Sequence, residues 1–320
     1  MARSDHTQNP DQPGARAQPA NSRPQTTHLS LESQGLRFNV AVAGPVDGPL
    51  VMLLHGFPEF WYAWRHQAGP LAAAGYRVAM PDQRGYGRSD KPQGRRDYQL
   101  DKLAEDIIGI AKALNHERFQ VVGHDWGGVV AWQLATRHFA HLEGMVILNA
   151  PHPATLLRYS LKNPLQLLKS AYVGFFQLPV LPEFMLRFAS YQALELALTS
   201  TARPGTFSRL EIDVYRQAWS QPGALPAMLN WYRALPLTPT TAERRIALPV
   251  CIVWGDRYSA LESGLAEEAQ GWCDQAEVHH LPGAGHWRHH EEPEKVNQLL
   301  LAFLQKARPA KPASARPQSP

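Results

Sequence analysis

Phe119-Gln-Val-Val-Gly-His-Asp-Trp-Gly-Gly-Val-Val-Ala-Trp-Gln-Leu-Ala135 is the stretch whose reading decides the fold. It starts as a short apolar run, the pattern of a buried strand, passes through a glycine-flanked turn, and continues as a helix with an apolar face. Asp125 stands at the turn, with Gly123 two residues before it and Gly127 two after. This is the spacing of Gly-x-Ser-x-Gly, with aspartate in place of serine. Small residues on both sides let the backbone bend sharply and lift one side chain clear of a sheet edge. The helix N-terminus that follows favours a negative charge. A carboxylate there is ionised at neutral pH, and it can attack an electrophilic carbon to give an ester.

Strand and helix patterns alternate on both sides of this turn. Leu50–Leu54 is a continuous apolar run, as in a strand buried on both faces. Tyr76–Met80 and Gly144–Leu148 read the same way, and residues 29–42 alternate as a hairpin. The strand at Leu50 runs into His55-Gly-Phe-Pro-Glu59, and a loop in that place lies at the C-terminal sheet edge, where α/β folds bind ligands. From Pro151 to about Thr241 the alternation stops. That segment is broken by prolines and rich in aromatic residues, including Tyr172, Trp219 and Trp231. It is expected to be a helical cap whose rings suit an apolar substrate. Alternation resumes with Pro249–Trp254, Leu261–Ala269, Ala276–Leu281 and Pro293–Gln305. The expected organisation is a mostly parallel sheet flanked by helices, formed by residues 28–150 and 242–306, with the cap at 151–241. Residues 1–27 and 307–320 lack hydrophobic periodicity and are expected to be disordered tails.

Composition narrows the function. Of the net charge of +4, most sits in the tails: Lys306, Arg308, Lys311 and Arg316 face no acid. The body between them is close to neutral, so nothing argues for nucleic acid. Two cysteines, Cys251 and Cys273, are too few for a disulfide framework. No signal peptide follows Met1 and no apolar run is long enough to span a membrane, so a cytoplasmic setting is expected.

An ester on Asp125 needs a base for water, a group to orient that base, and donors for an oxyanion. His286, in the loop Gly283-Ala-Gly-His-Trp287 after the last strand, is the expected base. The nearby His279, His280, His289 and His290 read as surface histidines, and their spacing matches no metal-ligand pattern. Backbone N–H groups of Phe57 and Trp126 are the expected oxyanion donors. His55 reads as a loop-ordering residue.

His55-Gly-Phe-Pro58, Pro81-Asp-Gln-Arg-Gly-Tyr-Gly-Arg-Ser-Asp90, Gly123-His-Asp-Trp-Gly127 and Gly285-His-Trp287 together resemble the epoxide hydrolase branch of the α/β-hydrolase superfamily, over residues 30–305. The resemblance implies the α/β-hydrolase fold and hydrolysis of a small apolar epoxide by water to a vicinal diol, with no cofactor and no metal. It also places lid tyrosines at Tyr172 and Tyr232, which would donate hydrogen bonds to the epoxide oxygen.

One position departs from the family. Its strand after the cap usually ends Trp-Gly-x-x-Asp-x-x-Leu, whereas this chain has Trp254-Gly-Asp-Arg-Tyr-Ser-Ala-Leu261. Tyr258 stands where the acid is expected, and a phenol does not stabilise an imidazolium as a carboxylate does. Asp256, two residues earlier, is expected to orient His286 instead. Asn149, at the other position used by related enzymes, cannot be the anion. Two alternatives follow. A haloalkane or haloacetate dehalogenase uses the same aspartate ester, although the arginines that hold a haloacetate are replaced by Trp126 and Val129. If Asp256 points away, the protein is a slow enzyme or a small-molecule binder.

Overall fold

The computed structural model describes residues 26–238, 244–258 and 261–307. The expected tails lie outside these residues except for their inner ends; Thr27 already belongs to the first strand.

Eight strands form one sheet: β1 (Thr27–Ser33), β2 (Leu36–Ala43), β3 (Leu50–Leu54), β4 (Arg77–Pro81), β5 (Phe119–His124), β6 (Leu142–Leu148), β7 (Val250–Gly255) and β8 (Ala276–Leu281). Their spatial order is β1-β2-β4-β3-β5-β6-β7-β8. The hairpin β1–β2 and the β2–β4 pair are antiparallel, and every other pair is parallel.

The apolar runs are buried on both faces, as parallel strands under helices must be. In β3, Met52 and Leu54 face one core while Val51 and Leu53 face the other. In β5, Val121 and Val122 divide in the same way. Each such side chain contributes about 1.5–3 kcal/mol when fully buried. Three helices cover the faces of the first half of the sheet: α1 (Ala68–Ala73), α2 (Leu100–Ala113) and α3 (Trp126–Arg137). Leu71 of α1 packs in one core, while Ile107 of α2 and Val130 of α3 pack in the other.

Between β6 and β7 the described residues contain helices and no strand. They are α4 (Pro153–Lys162), α5 (Pro164–Lys169), α6 (Ala171–Phe175), α7 (Leu181–Thr199), α8 (Arg209–Trp219) and α9 (Ala224–Arg233). Helix α7 is broken at Phe188–Tyr191, where Ala189, Ser190 and Tyr191 take positive φ. Helix α8 begins with a capping box, Ser208 exchanging hydrogen bonds with Glu211, which satisfies two backbone donors at the helix start. Two buried indoles fasten this insertion to the sheet edge. Trp219 donates to the Pro58 carbonyl at 2.6 Å and Trp231 to the Arg84 carbonyl at 2.9 Å. Several aromatic residues of the segment are thus packing groups.

The chain finishes with α10 (Gly264–Gln270), α11 (Arg288–Glu291) and α12 (Pro293–Lys306). Helix α12 lays Val296, Leu300 and Phe303 on the same core as α1, and α10 packs on the opposite one, so helices cover both faces. No helix of the described residues is long and apolar enough to cross a membrane.

Candidate active site

Asp125 sits between β5 and α3 with φ 50° and ψ −121°. Positive φ in a side chain with a Cβ costs about 1–3 kcal/mol and persists only where the surroundings impose it. Glycine supplies those surroundings. A Cβ on Gly127 would lie 2.1 Å from the Leu54 carbonyl oxygen, and one on Gly123 would lie 2.4 Å from that of Gly127. The first turn of α3 is therefore pressed against β5 and β3, and the Asp125 side chain is lifted over the sheet edge.

The loop after β3 meets that side chain. The Phe57 N–H donates to Asp125 Oδ1 at 2.9 Å, and Gly56 lies so close that a Cβ there would fall 2.5 Å from Oδ1. Burial pushes the Asp125 carboxyl up from its ordinary value, while His124 and the N–H groups of Phe57 and Trp126 pull it back down. His55 behaves as a brace. Its Nε2 accepts from the Gln83 N–H, and its carbonyl accepts from the Gln83 amide.

His286 enters from the loop after β8. Its Nε2 is 3.8 Å from Asp125 Oδ2. Burial, then His124, holds the imidazole well below the ordinary histidine range, so it is neutral and able to accept a proton. Asn149, at the end of β6, ties three loops together. Its amide donates to the carbonyls of Gly285 and His286 at 2.9 Å each, and its Oδ1 accepts from the Gly255 N–H at 3.1 Å.

The expected orienting acid is not in place. Asp256 Oδ1 accepts from His280 Nδ1 at 2.6 Å, and the other nitrogen of His280 meets Glu267 at 2.7 Å. Sheet register is the reason. Trp254 pairs with His280 and Gly255 with Leu281, which sets Asp256 beside β8 on the outer rim. Tyr258 reaches the histidine instead, its ring stacked on that of His286 at 4.3 Å and 22° from parallel. His286 Nδ1 is buried with no hydrogen-bond partner among the described residues.

Above Asp125 lie rings from the insertion. Tyr232, on α9, is buried and stands edge-on to Trp126 at 5.0 Å and Phe57 at 5.4 Å. Tyr172, on α6, is exposed and meets Tyr232 at 6.0 Å. Burial, the second phenol and the Asp125 carboxylate push the Tyr232 hydroxyl well above its ordinary value, so it keeps its proton as a donor.

A buried cluster beside Asp125 and His286 escaped the sequence reading. Glu59 has no exposed surface. It accepts from Tyr215 at 2.7 Å and from His290 at 2.7 Å, and its second oxygen lies 3.4 Å from His124 Nδ1 and 3.3 Å from His289 Nε2. Burial pushes this carboxyl up, but the histidines outweigh it and hold it well below the usual range. His289 and His290 are therefore interior groups, not surface ones. The placement of Glu59 directly after His55-Gly-Phe-Pro58, and of His124 directly before Asp125, was the available signal. Glu59, His124 and His289 are the residues of the site with metal-ligand spacing, their ligand atoms lying within 4.8 Å of one another.

A family model described as the alpha/beta hydrolase fold matches residues 49–293. This chain belongs to the α/β-hydrolase family. The α/β hydrolase is 45% identical over 276 residues to the AB hydrolase superfamily protein YfhM of Bacillus subtilis (strain 168), covering 86% of this chain and 96% of that protein. It is 36% identical over 283 residues to epoxide hydrolase 4 of Homo sapiens, covering 87% of this chain and 78% of that one. The structure of an epoxide hydrolase from Bacillus megaterium bound to an inhibitor superimposes with a TM-score of 0.79 at 27% identity, over 87% of this hydrolase and all of the other chain.

Proposed function

We propose that this α/β hydrolase opens small apolar epoxides to vicinal diols through a covalent ester on Asp125. The observation that carries the reading is the Asp125 carboxylate, lifted on a strained turn with one oxygen on the Phe57 N–H and the other toward His286. The related epoxide hydrolases support the choice of substrate. The helical insertion acts as the lid that brings Tyr172 and Tyr232 over the nucleophile.

In the first step Oδ2 of Asp125 forms a bond to an epoxide carbon as the carbon–oxygen bond of the ring breaks. Tyr172 and Tyr232 donate hydrogen bonds to the developing alkoxide and help protonate it. Oδ1 becomes the ester carbonyl oxygen and already lies against the Phe57 N–H. In the second step water attacks the carboxyl carbon of Asp125, and His286 Nε2 takes its proton. The N–H groups of Phe57 and Trp126 hold the tetrahedral oxyanion, a contribution of about 3–4 kcal/mol per donor in acyl transfer. Collapse expels the diol oxygen, which takes the proton from His286. The second proton of the attacking water leaves the Asp125 carboxyl for the phenolate that protonated the first alkoxide, which restores both the carboxylate and the tyrosine. These residues complete the cycle without a cofactor.

Single turnover in isotopically labelled water tests the reading. Label enters Asp125 and leaves the first-turnover diol unlabelled; label in that diol would defeat the covalent scheme. Halide release from chloroalkanes, with no diol from styrene oxide, would assign the dehalogenase reaction instead.

A further inference from the structure

Arg288, two residues after His286, is fully buried. Its Nε and Nη1 have no hydrogen-bond partner among the described residues, and Nη2 has only the Gly285 carbonyl at 3.5 Å. The acids around it are engaged elsewhere. Glu291 holds the backbone N–H groups of Gly285 and Arg203, Glu292 holds the Arg203 side chain, and Asp256 holds His280. A buried guanidinium without a counter-ion is among the most costly arrangements in a protein interior. Burial lowers it only to about 9, so it is still a cation at neutral pH.

The location of that cation is informative. Its head sits under the end of β7, where a Cβ on Gly255 would lie 2.8 Å from Nη2. Gly255 opens the loop that carries Asp256 and Tyr258. In the same region His286 Nδ1 is a second buried polar atom without a partner. Its opposite nitrogen, Nε2, faces Asp125, so Nδ1 points away from the substrate side. Arg288 lies close enough to His286 to lower it electrostatically and close enough to Tyr258 to be affected by it. Two buried groups with unpartnered atoms thus flank the loop position where a carboxylate would orient the histidine, and the residue there is Tyr258.

We propose that a small free carboxylate binds between the Arg288 guanidinium and His286 Nδ1, beside Tyr258, and serves as the anion that orients His286. Arg288 is then a positioning residue, acting through the bound anion. The anion changes no bond. It accepts the Nδ1 hydrogen bond and stabilises the imidazolium formed when Nε2 takes a proton from water. The orienting carboxylate of a serine protease triad is worth about 10⁴-fold in kcat, so partial replacement leaves a large margin. Because Nδ1 faces away from Asp125, a carboxylate carried by the substrate does not reach it. This inference rests on the proposed ester mechanism for its catalytic consequence, but not for the binding itself.

The test uses the full chain, sodium acetate as probe, and constant ionic strength maintained with a bulky sulfonate. Binding is followed by NMR of carbon-13-labelled acetate. The Asp125 ester formed from styrene oxide is followed in a single turnover by mass spectrometry. The expected result is saturable acetate binding, ester decay accelerated at least about tenfold with the same saturation, and an unchanged rate of ester formation. Arg288→Met abolishes the binding and the acceleration. Tyr258→Asp, which supplies a carboxylate from the chain itself, is the second variant, and it loses acetate binding as well. Absence of saturable acetate binding overturns the proposal. So does an acceleration that is linear in acetate and survives in Arg288→Met, which is ordinary buffer catalysis. Should no ester form, the proposed function fails, while the acetate titration still decides this site.

Discussion

The ring of Tyr258 lies stacked on that of His286, 4.3 Å away, while the one buried nitrogen of His286 that needs an anion has none among the described residues. A stacked phenol fixes the plane of an imidazole but does not stabilise its charge. Tyr258→Asp is therefore expected to speed ester decay, by about tenfold or more of the roughly 10⁴-fold such a carboxylate contributes in a triad. Ester formation is expected to stay as it is. Single-turnover mass spectrometry of the Asp125 adduct reads both rates.

Asp256 sits in an exposed pairing with His280, where ion pairs are worth about 0–1 kcal/mol. Asp256→Asn is expected to change ester decay by less than about twofold. A loss of tenfold or more would mean that Asp256 reaches His286 during turnover.

Asn149 satisfies one N–H and two carbonyls from two other loops. Asn149→Ala strips all three, and each buried group left unpaired costs about 1–3 kcal/mol. The expected outcome is a loss of at least about 2 kcal/mol in urea unfolding. A lowered kcat should accompany it, because the same amide seats the His286 backbone. Unchanged stability would show that the loops hold themselves.

Tyr172 and Tyr232 act on the first step alone in the proposed mechanism. Removing one hydrogen bond to a charged oxygen costs about 1.5–3 kcal/mol. Tyr232→Phe or Tyr172→Phe should each slow ester formation by roughly 10–150-fold and leave ester decay unaffected. Equal slowing of both steps would point to a packing role instead.

His152 is buried between Trp132 and Trp272, and burial lowers it from 6.5 to about 4. The unfolded chain binds the proton more readily, so the stability this residue contributes is present above 6.5 and is lost as the pH falls toward about 4. The full loss is on the order of 3 kcal/mol. His152→Phe should flatten the dependence of the urea midpoint on pH across that window. An unaltered slope would assign the acid sensitivity to the Glu59 cluster.

The sequence by itself determined the sheet, the turn and the place of Asp125 on it. Those depend on local pattern: apolar runs of strand length, Gly123 and Gly127 around Asp125, and a histidine in the loop after the last strand. Each is set by backbone sterics and burial within a few residues, so one stretch is enough to read it. Tertiary structure alone decided the surroundings. Pairing of β7 with β8 carries Asp256 to His280, because a sheet's register assigns neighbours that no spacing along the chain reveals. Burial turned His289 and His290 from apparent surface groups into partners of Glu59, from which they lie more than two hundred residues away. Nothing in the sequence marks Arg288; the cost of burying a cation depends on what surrounds it in space, and only the tertiary structure shows its Nε and Nη1 buried without a hydrogen-bond partner among the described residues.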